Sequence, residues 1–231
     1  MILNGTRWDR LTHEMCCIVI IEVVGYKEKN LGVEVLFFFY WGKRMNTVQP
    51  IRDKRIVNDI ADYLYTKDLG KQNEKRDYVM YMTGIYSGIR ISDILLLRVR
   101  DVRNKGHISI REKKTGKEKR FKINKNLKKI LEDYIIGRRD YEYLFRRNGE
   151  LNKPVSRQYA YRVLSEAGKK FGLESIGTHT MRKTFGYHFY EQYRDVATLM
   201  VIFNHSNEHT TLRYIGVEQN NIDEKMDGLS F

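Results

Sequence analysis

The stretch THTMRKTF, residues 178–185, opens a helix that the apolar pattern predicts over residues 180–192. His179 and Arg182 stand three residues apart, so both side chains point to the same side of that helix. A histidine and an arginine aimed at one point suit an oxyanion or a phosphate group. The pair is equally compatible with a helix-start histidine and a solvated arginine, so this stretch alone leaves both interpretations open.

A second arginine lies upstream, beside a break between two predicted helices. Residues 83–93 read TGIYSGIRISD, in which Ser87-Gly88 ends one helix and Arg90 follows at once. Arg90 can direct its planar guanidinium group toward two phosphate oxygens. Taken alone, an arginine at this position is more often a surface or helix-start residue.

A third motif lies near the end of the chain. His205 stands in the triplet NHS at residues 204–206, and Tyr214 follows nine residues later. Taken singly, His205 is more often a packed or capping residue. The chain has 16 tyrosines, so Tyr214 alone is more often a core aromatic residue.

The periodicity predicts an α+β fold that is mainly α-helical, with one small antiparallel hairpin. Residues 107–111 and 119–123 alternate as strands around a turn at residues 114–116. Helices are predicted over residues 52–69, from Asn73 to Tyr86, from Ser92 or Asp93 to Leu97, and over residues 127–136, 156–171, 180–192, 195–203 and 208–214.

The charge indicates a polyanionic partner. The chain has 42 Lys+Arg and 29 Asp+Glu, a net charge of +13. Residues 1–44 hold 6 and 5 of these, so the excess lies almost entirely in residues 45–231, which hold 36 and 24. Such a charge favours nucleic acid first and an acidic membrane surface second, while a basic protein charged only for solubility is the third interpretation.

Other sequence features exclude several classes of protein. Cys16 and Cys17 are adjacent, which is a poor arrangement for a structural disulfide, and no Cys/His cluster indicates a zinc site. No apolar run reaches the roughly 18 residues of a membrane span, and no signal-peptide order is present. We therefore expect a cytoplasmic protein that needs neither a metal nor a membrane.

The order of these motifs resembles that of the tyrosine recombinase (phage integrase) family. That family has a first arginine motif, a lysine in a hairpin, a His-x-x-Arg box, and a histidine followed by the nucleophilic tyrosine. The resemblance covers about residues 50–220. Six residues occupy the corresponding positions here: Arg90, Lys114, His179, Arg182, His205 and Tyr214.

The resemblance implies a role for each of these residues. Tyr214 would attack the scissile phosphodiester and leave a 3′-phosphotyrosine and a free 5′-hydroxyl. Arg90 and Arg182 would hold the non-bridging oxygens, and His205 would hydrogen-bond the phosphate. His179 would assist proton transfer at the tyrosine.

The resemblance also implies a general acid and an orienting carboxylate. Lys114 would protonate the 5′-oxygen, and it is chosen among the crowded hairpin lysines 113, 114, 117 and 119 only by its match to Lys-Thr-Gly. Asp93 would orient its neighbours from behind the site. Because two arginines keep their charge, no metal and no other cofactor is implied.

The predicted function is therefore that of a site-specific DNA recombinase acting on duplex DNA. A homo-oligomer is implied, such as a tetramer on DNA, or an accessory DNA-bending protein. Two alternatives stay open: a type IB topoisomerase-like nicking-closing enzyme, and a DNA-binding protein that has lost catalysis.

The domain organisation departs from the family at the front. Residues 1–44 are too few for the usual helical clamp domain, and we predict either a small β-hairpin or translation that really starts at Met45. Residues 45–217 are the predicted catalytic domain, and residues 218–231 a tail that docks on a neighbouring protomer. Phe203-Asn204 replaces the usual Leu-Gly before His205, and asparagine tolerates the left-handed conformation that glycine favours.

Overall fold

The computed structural model describes residues 48–67, 69, 75–111, 116, 118–149, 152–217, 226 and 228–229. The predictions for residues 1–44, for the start at Met45 and for Lys114 fall outside the described residues. Nearly all of the predicted tail at residues 218–231 also falls outside them. These predictions, and the limits of the catalytic domain, stay predictions.

Helices dominate the described part of the chain. They are α1 (Lys54–Lys67), α2 (Arg76–Ser87), α3 (Ile91–Ile94), α4 (Lys125–Tyr134), α5 (Arg157–Lys170), α6 (Thr180–Tyr193), α7 (Val196–Phe203) and α8 (Glu208–Ile215), with a short 3₁₀ helix at Val99–Asp101. Within the described ranges, no helix has both the length and the apolar character that crossing a bilayer requires.

Helix α2 lies at the centre of the main apolar core. It packs against α1, α4 and α6. Its residues Val79, Met80, Tyr81 and Met82 are buried on consecutive positions, as expected for a helix enclosed on all sides. The Tyr81 hydroxyl donates to the main-chain oxygen of Val57 in α1 over 3.2 Å, so its one polar atom in this core has a partner.

A hairpin on one side of the helices supplies the sheet. Strands β1 (His107–Arg111) and β2 (Glu118–Lys122) pair antiparallel with Ile108 opposite Phe121. Both of these side chains are buried, so one face of the hairpin closes the core. The prediction of a mainly α-helical α+β fold with one small antiparallel hairpin is confirmed.

Helix α6 is held unusually close to its neighbours by glycines. A Cβ atom on Gly84 of α2 would lie 2.5 Å from Met181 Sδ, and one on Gly186 of α6 would lie 2.7 Å from Phe203 and Ile215. Only glycine permits both approaches. Helix α6 therefore lies wedged between α2 on one side and α7 and α8 on the other.

Several predicted helix starts differ from the observed ones by one to three residues, including that of α1, which begins at Lys54 and not at residue 52. Helix α2 begins at Arg76, after Lys75 in the left-handed region, and not just after Asn73, which lies outside the described residues. The short helix α3 begins at Ile91 and ends at Ile94, so Arg90 itself caps it. Helix α4 begins earlier than predicted because the Asn124 side chain accepts a hydrogen bond from Leu127 N over 2.8 Å, which is an N-cap.

Candidate active site

The turn after α2 positions Arg90. Gly88 adopts φ +61°, and its N–H donates to Gly84 O over 3.0 Å, which ends the helix. Arg90 follows in an extended conformation at the N-cap of α3, and Asp93, in the first turn of α3, is buried. The arginine motif is thus the short, stiff connection between two helices.

Arg182 is the buried centre of the site. Its side chain leaves the first turn of α6 and the residue is only 3 % exposed. One guanidinium nitrogen, Nη1, donates to Gly88 O over 2.6 Å, and the other, Nη2, donates to Phe203 O over 3.1 Å. The guanidinium group therefore joins the turn that carries Arg90 to the end of α7, two residues before His205.

The end of α7 positions His205. Asn204 is left-handed at φ 56° and ψ 50°, so the prediction that asparagine supports this turn is confirmed. The N–H groups of Asn204 and His205 donate back to Val201 O and Met200 O, the pair of bonds that defines a Schellman motif. His205 Nδ1 then lies 3.1 Å from Thr211 Oγ1, which fixes the imidazole ring.

Tyr214 closes the site from α8. That helix is capped by Asn207, whose side chain accepts a hydrogen bond from Thr210 N over 3.3 Å. The Tyr214 ring packs edge-on against the rings of Phe203 and His205, with centroids 5.4 and 5.3 Å away. Its hydroxyl oxygen lies 3.4 Å from His179 Nδ1. The two residues are 35 positions apart in sequence and meet in the fold.

The surrounding charges are predominantly positive and act on both histidines. Desolvation lowers the pKa of His179 below its ordinary value, and the charges of Arg182, Arg157, Lys183 and Arg90 lower it further, in that order. Desolvation also lowers the pKa of His205, helped by Arg182, Arg90 and Lys119. Each neighbouring cation disfavours a second positive charge on the imidazole. Both histidines are thus held toward their neutral form.

The same surroundings act on Tyr214 in two opposing ways. Burial raises the pKa of its phenol, whereas the charge and hydrogen bonding of Arg182, and then the charge of Arg90, act to lower it. A phenol in this position stays protonated at neutral pH unless a base takes its proton. The imidazole of His179 lies within reach of this hydroxyl.

The chain matches the phage integrase family over residues 53–221. It is 46 % identical over 175 residues to the probable integrase/recombinase YoeC of Bacillus subtilis strain 168, an alignment that covers 76 % of this chain and 93 % of that protein.

This protein belongs to the phage integrase family.

The resemblance seen in the motifs is thereby confirmed, and with it the class of chemistry, which is the cleavage and rejoining of DNA strands. Solved structures agree on the fold. The recombinase XerA matches with a TM-score of 0.58 at 18 % identity, over 77 % of this chain and 64 % of that one. XerH bound to palindromic difH substrate, in a post-cleavage complex, matches with 0.62 at 16 % identity, over 78 % and 53 %. The chain thus spans about half to two thirds of these solved recombinases.

The structure brings together most residues that the integrase motifs predicted. His179 contacts Tyr214, and Arg182 is bonded to the two turns that carry Arg90 and His205. Lys114 lies outside the described residues. Of the other hairpin lysines, Lys119 is described, and its Nζ donates to Val201 O and Ile202 O at the end of α7, each over 2.9 Å.

Sequence reasoning missed two further cations of the integrase site. Lys183 is 8 % exposed and its Nζ lies 5.1 Å from the centre of the Tyr214 ring. Arg157, the first residue of α5, is close enough to His179 to influence its pKa. The spacing of Lys183 from His179, four residues on a helix, was the one available signal. No comparable sequence signal marks Arg157.

Among the described residues, no three His, Cys, Asp or Glu side chains are grouped so that they could hold a metal ion.

Proposed function

We propose that this protein is a site-specific recombinase that cleaves and rejoins duplex DNA through a 3′-phosphotyrosine on Tyr214. The observation that carries the proposal is the meeting of Tyr214 Oη with His179 Nδ1 at 3.4 Å beside the buried Arg182. A nucleophile, a base and a fixed cation thus share one site, as covalent catalysis on a phosphate requires.

The first step is the attack of Tyr214 on the scissile phosphorus. The Tyr214 oxygen forms a bond to phosphorus while the bond from phosphorus to the 5′-oxygen breaks. The phenol proton passes to His179, which is neutral because desolvation and the neighbouring cations lower its pKa. A base that is already neutral at physiological pH needs no prior deprotonation.

Arg182 and Arg90 stabilise the charge that accumulates on the phosphate. The two hydrogen bonds of Arg182 to main-chain oxygens fix its position before DNA arrives, so little reorganisation is needed during the reaction. His205 accepts a hydrogen bond at Nδ1 from the Thr211 hydroxyl, and its Nε2–H donates to a non-bridging oxygen. Asp93, buried in the first turn of α3 that follows Arg90, orients its neighbours.

The leaving 5′-oxygen takes its proton from Lys114 in the hairpin. Lys119 is a weaker candidate for this role because its ammonium group is bonded to two carbonyl oxygens of α7. A substrate with a 5′-bridging sulfur tests the assignment, since a thiolate leaves without protonation. Lys114→Met should be slow on the oxygen substrate and recover on the sulfur one. If the sulfur substrate restored the activity of Lys119→Met and not that of Lys114→Met, the assignment of Lys114 as the general acid would be wrong.

Religation reverses these steps on another strand. The 5′-hydroxyl of that strand attacks the phosphotyrosine and gives its proton back to Lys114. The bond from phosphorus to Tyr214 breaks, and His179 returns its proton to the phenol. The phosphodiester energy is kept in the covalent intermediate, so the exchange needs no nucleotide cofactor.

A nicked suicide duplex tests the proposal, because loss of the short 5′-fragment traps the covalent intermediate. We expect a protein–DNA adduct that is absent in Tyr214→Phe and retained in Tyr193→Phe, a tyrosine at the exposed end of α6. Supercoil relaxation without strand exchange would instead indicate a topoisomerase-like enzyme. A DNA mobility shift without any adduct would indicate a binding protein that has lost catalysis.

The proposed partners are duplex DNA and further copies of this chain. The excess of positive charge in residues 45–231 favours binding to the phosphate backbone, and such binding weakens steeply as salt increases. We propose that the tail at residues 218–231 docks on a neighbouring protomer. We also propose that the reaction takes place in the cytoplasm, where the DNA substrate lies. Deletion of residues 218–231 should reduce synaptic assembly more than DNA binding, and equal assembly by the shortened chain would refute the docking.

A further inference from the structure

Lys183 is a buried lysine that the mechanism above does not use. The residue follows Arg182 in the first turns of α6 and is 8 % exposed. Lysine is seldom buried to this degree, because its ammonium group loses hydration. Burial lowers the pKa of Lys183 accordingly.

The group that Lys183 contacts is the ring of Tyr214. Its Nζ lies 5.1 Å from the ring centre, within the range in which an ammonium group is attracted to the face of an aromatic ring. His179, Arg182 and Lys183 occupy positions i, i+3 and i+4 of one helical face. Helix α6 thus approaches the same tyrosine at its hydroxyl, through His179, and at its ring, through Lys183.

We propose that Lys183 is a positioning residue for Tyr214. Its ammonium group holds the ring by a cation–π contact and stabilises the negative charge that the phenol oxygen develops during attack. Lys183 itself neither gives nor takes a proton: the phenol proton still passes to His179, and the new bond still joins the tyrosine oxygen to phosphorus. This inference rests on the proposed role of Tyr214 as nucleophile.

Other charged groups act on the same tyrosine and must be separated from Lys183 in any test. Arg182 and His179 approach it from α6, Arg90 from the N-cap of α3, and His205 from the turn after α7. Arg157 of α5 and Lys119 of β2 act one step further away, on the two histidines. A direct measurement on the Tyr214 ring, with only Lys183 changed, isolates its contribution.

The first arm of the experiment measures the Tyr214 phenol itself. Position 214 is replaced by 3-fluorotyrosine in the full chain, and its ¹⁹F resonance is followed against pH without DNA. Because a cation favours the phenolate, Lys183→Met should move the titration midpoint upward by about one pH unit, roughly tenfold in phenolate at a given pH. Lys183→Arg should keep the original midpoint. A midpoint that does not move in Lys183→Met would overturn the proposal.

The chain offers a matched control for this arm. Lys170 Nζ, at the end of α5, lies 4.3 Å from the centre of the Tyr63 ring of α1. Lys170→Met therefore removes an equal charge and the same kind of contact, but from a different tyrosine. It should leave the 214 resonance unchanged. An equal shift in Lys170→Met would mean that the effect is only one of net charge, and the proposal would fail.

The second arm measures cleavage of the nicked duplex as a function of pH. Lys183→Met should be about tenfold slower near neutral pH, with the gap closing at high pH where the phenolate forms unaided. Loss by the same factor at every pH would indicate a merely structural lysine. Circular dichroism and duplex binding verify folding, and Lys183→Gln replaces the methionine variant if that one does not fold. The fluorine titration does not require cleavage. It can therefore contradict the role of Lys183 without contradicting the proposed function, and the cleavage assay can fail without affecting the titration.

Discussion

A buried arginine lies near each end of α2, and each has a tyrosine beside it. The charges that surround the two arginines differ. At the start of the helix, Arg76 is 7 % exposed and bonded to Asp77 over 3.2 Å, to Asn148 and to the Tyr159 hydroxyl. At its end, Arg182 is 3 % exposed and bonded to the main-chain oxygens of Gly88 and Phe203. A carboxylate balances the first arginine, whereas neutral carbonyl groups hold the second.

The two tyrosines follow the same division. Tyr159 donates its hydroxyl proton to the Asp77 carboxylate, and burial followed by that carboxylate raises its pKa to about 12. Tyr214 faces histidine and arginine, and Arg182 and Arg90 oppose the effect of burial on its pKa. Arg76 and Tyr159 share the counter-charge of Asp77, which is typical of a structural ion pair. The cations around Tyr214 are instead typical of a site that binds an anion.

Breaking the balanced end should cost the most stability. Arg76→Met leaves the 2 % exposed Asp77 without its cation, which should lower the free energy of unfolding by roughly 3–5 kcal/mol. Urea denaturation measures this loss. Arg76→Met/Asp77→Leu should recover most of it, and adduct formation per folded molecule should stay normal. A loss of adduct formation in the folded variant would erase the distinction between the two ends.

Weakening the cationic end should affect catalysis instead. Arg182→Lys keeps the charge but cannot reach both carbonyl oxygens and the phosphate, so single-turnover cleavage should fall by on the order of a hundred- to a thousand-fold. Arg162→Lys, an exposed arginine over the Tyr159 ring, is the matched control and should cleave normally. Equal losses in the two variants would show that any arginine-to-lysine change disturbs the protein.

A substitution at Gly88, in the turn between α2 and Arg90, should have a smaller effect. Gly88→Ala places a Cβ atom 2.4 Å from Phe185 at a φ of +61°, whereas Gly172→Ala has a φ of +72° and open space around it. The backbone cost is similar in both, about 1 kcal/mol. Thermal unfolding should show Gly88→Ala less stable than Gly172→Ala by roughly a further 1–2 kcal/mol, with slower cleavage because Arg90 is displaced. Equal melting temperatures would show that the contact with Phe185 relaxes freely.

The smallest effect should come from Lys119. Its ammonium group bonds the last carbonyls of α7, where a cation favours a helix C-terminus by about 0.3–1 kcal/mol. Lys119→Met should lower the free energy of unfolding by that amount in urea and slow cleavage only a few-fold, through the position of His205. A loss as large as that of Arg182→Lys would place Lys119 among the groups that act on the phosphate.

Local signals predicted more of this molecule than long-range ones did. Helix α6 was predicted over residues 180–192 and runs over Thr180–Tyr193, and the left-handed Asn204 was anticipated from its type. These features depend on neighbours in sequence. Helix α4 begins two residues before its predicted start, because the Asn124 cap sets the first turn whereas the apolar periodicity starts only at Leu127.

The partners of the buried arginines could not be predicted in the same way. Gly88 lies 94 positions from Arg182, and Tyr159 lies 83 positions from Arg76. Whether a basic residue is buried depends on which helix covers it, and the sequence does not state that. Lysine is a residue type usually found at the surface, yet Lys183 is buried, with its Nζ against the Tyr214 ring of α8.

The two hydrogen bonds of Arg182 also bear on when the site becomes complete during folding. Its two bonds join segments that are distant along the polypeptide, so neither segment can hold its catalytic geometry while the other is still unfolded. A nascent or partly unfolded molecule therefore lacks the assembled site. The site is therefore expected to become competent for strand cleavage only with the completed tertiary structure.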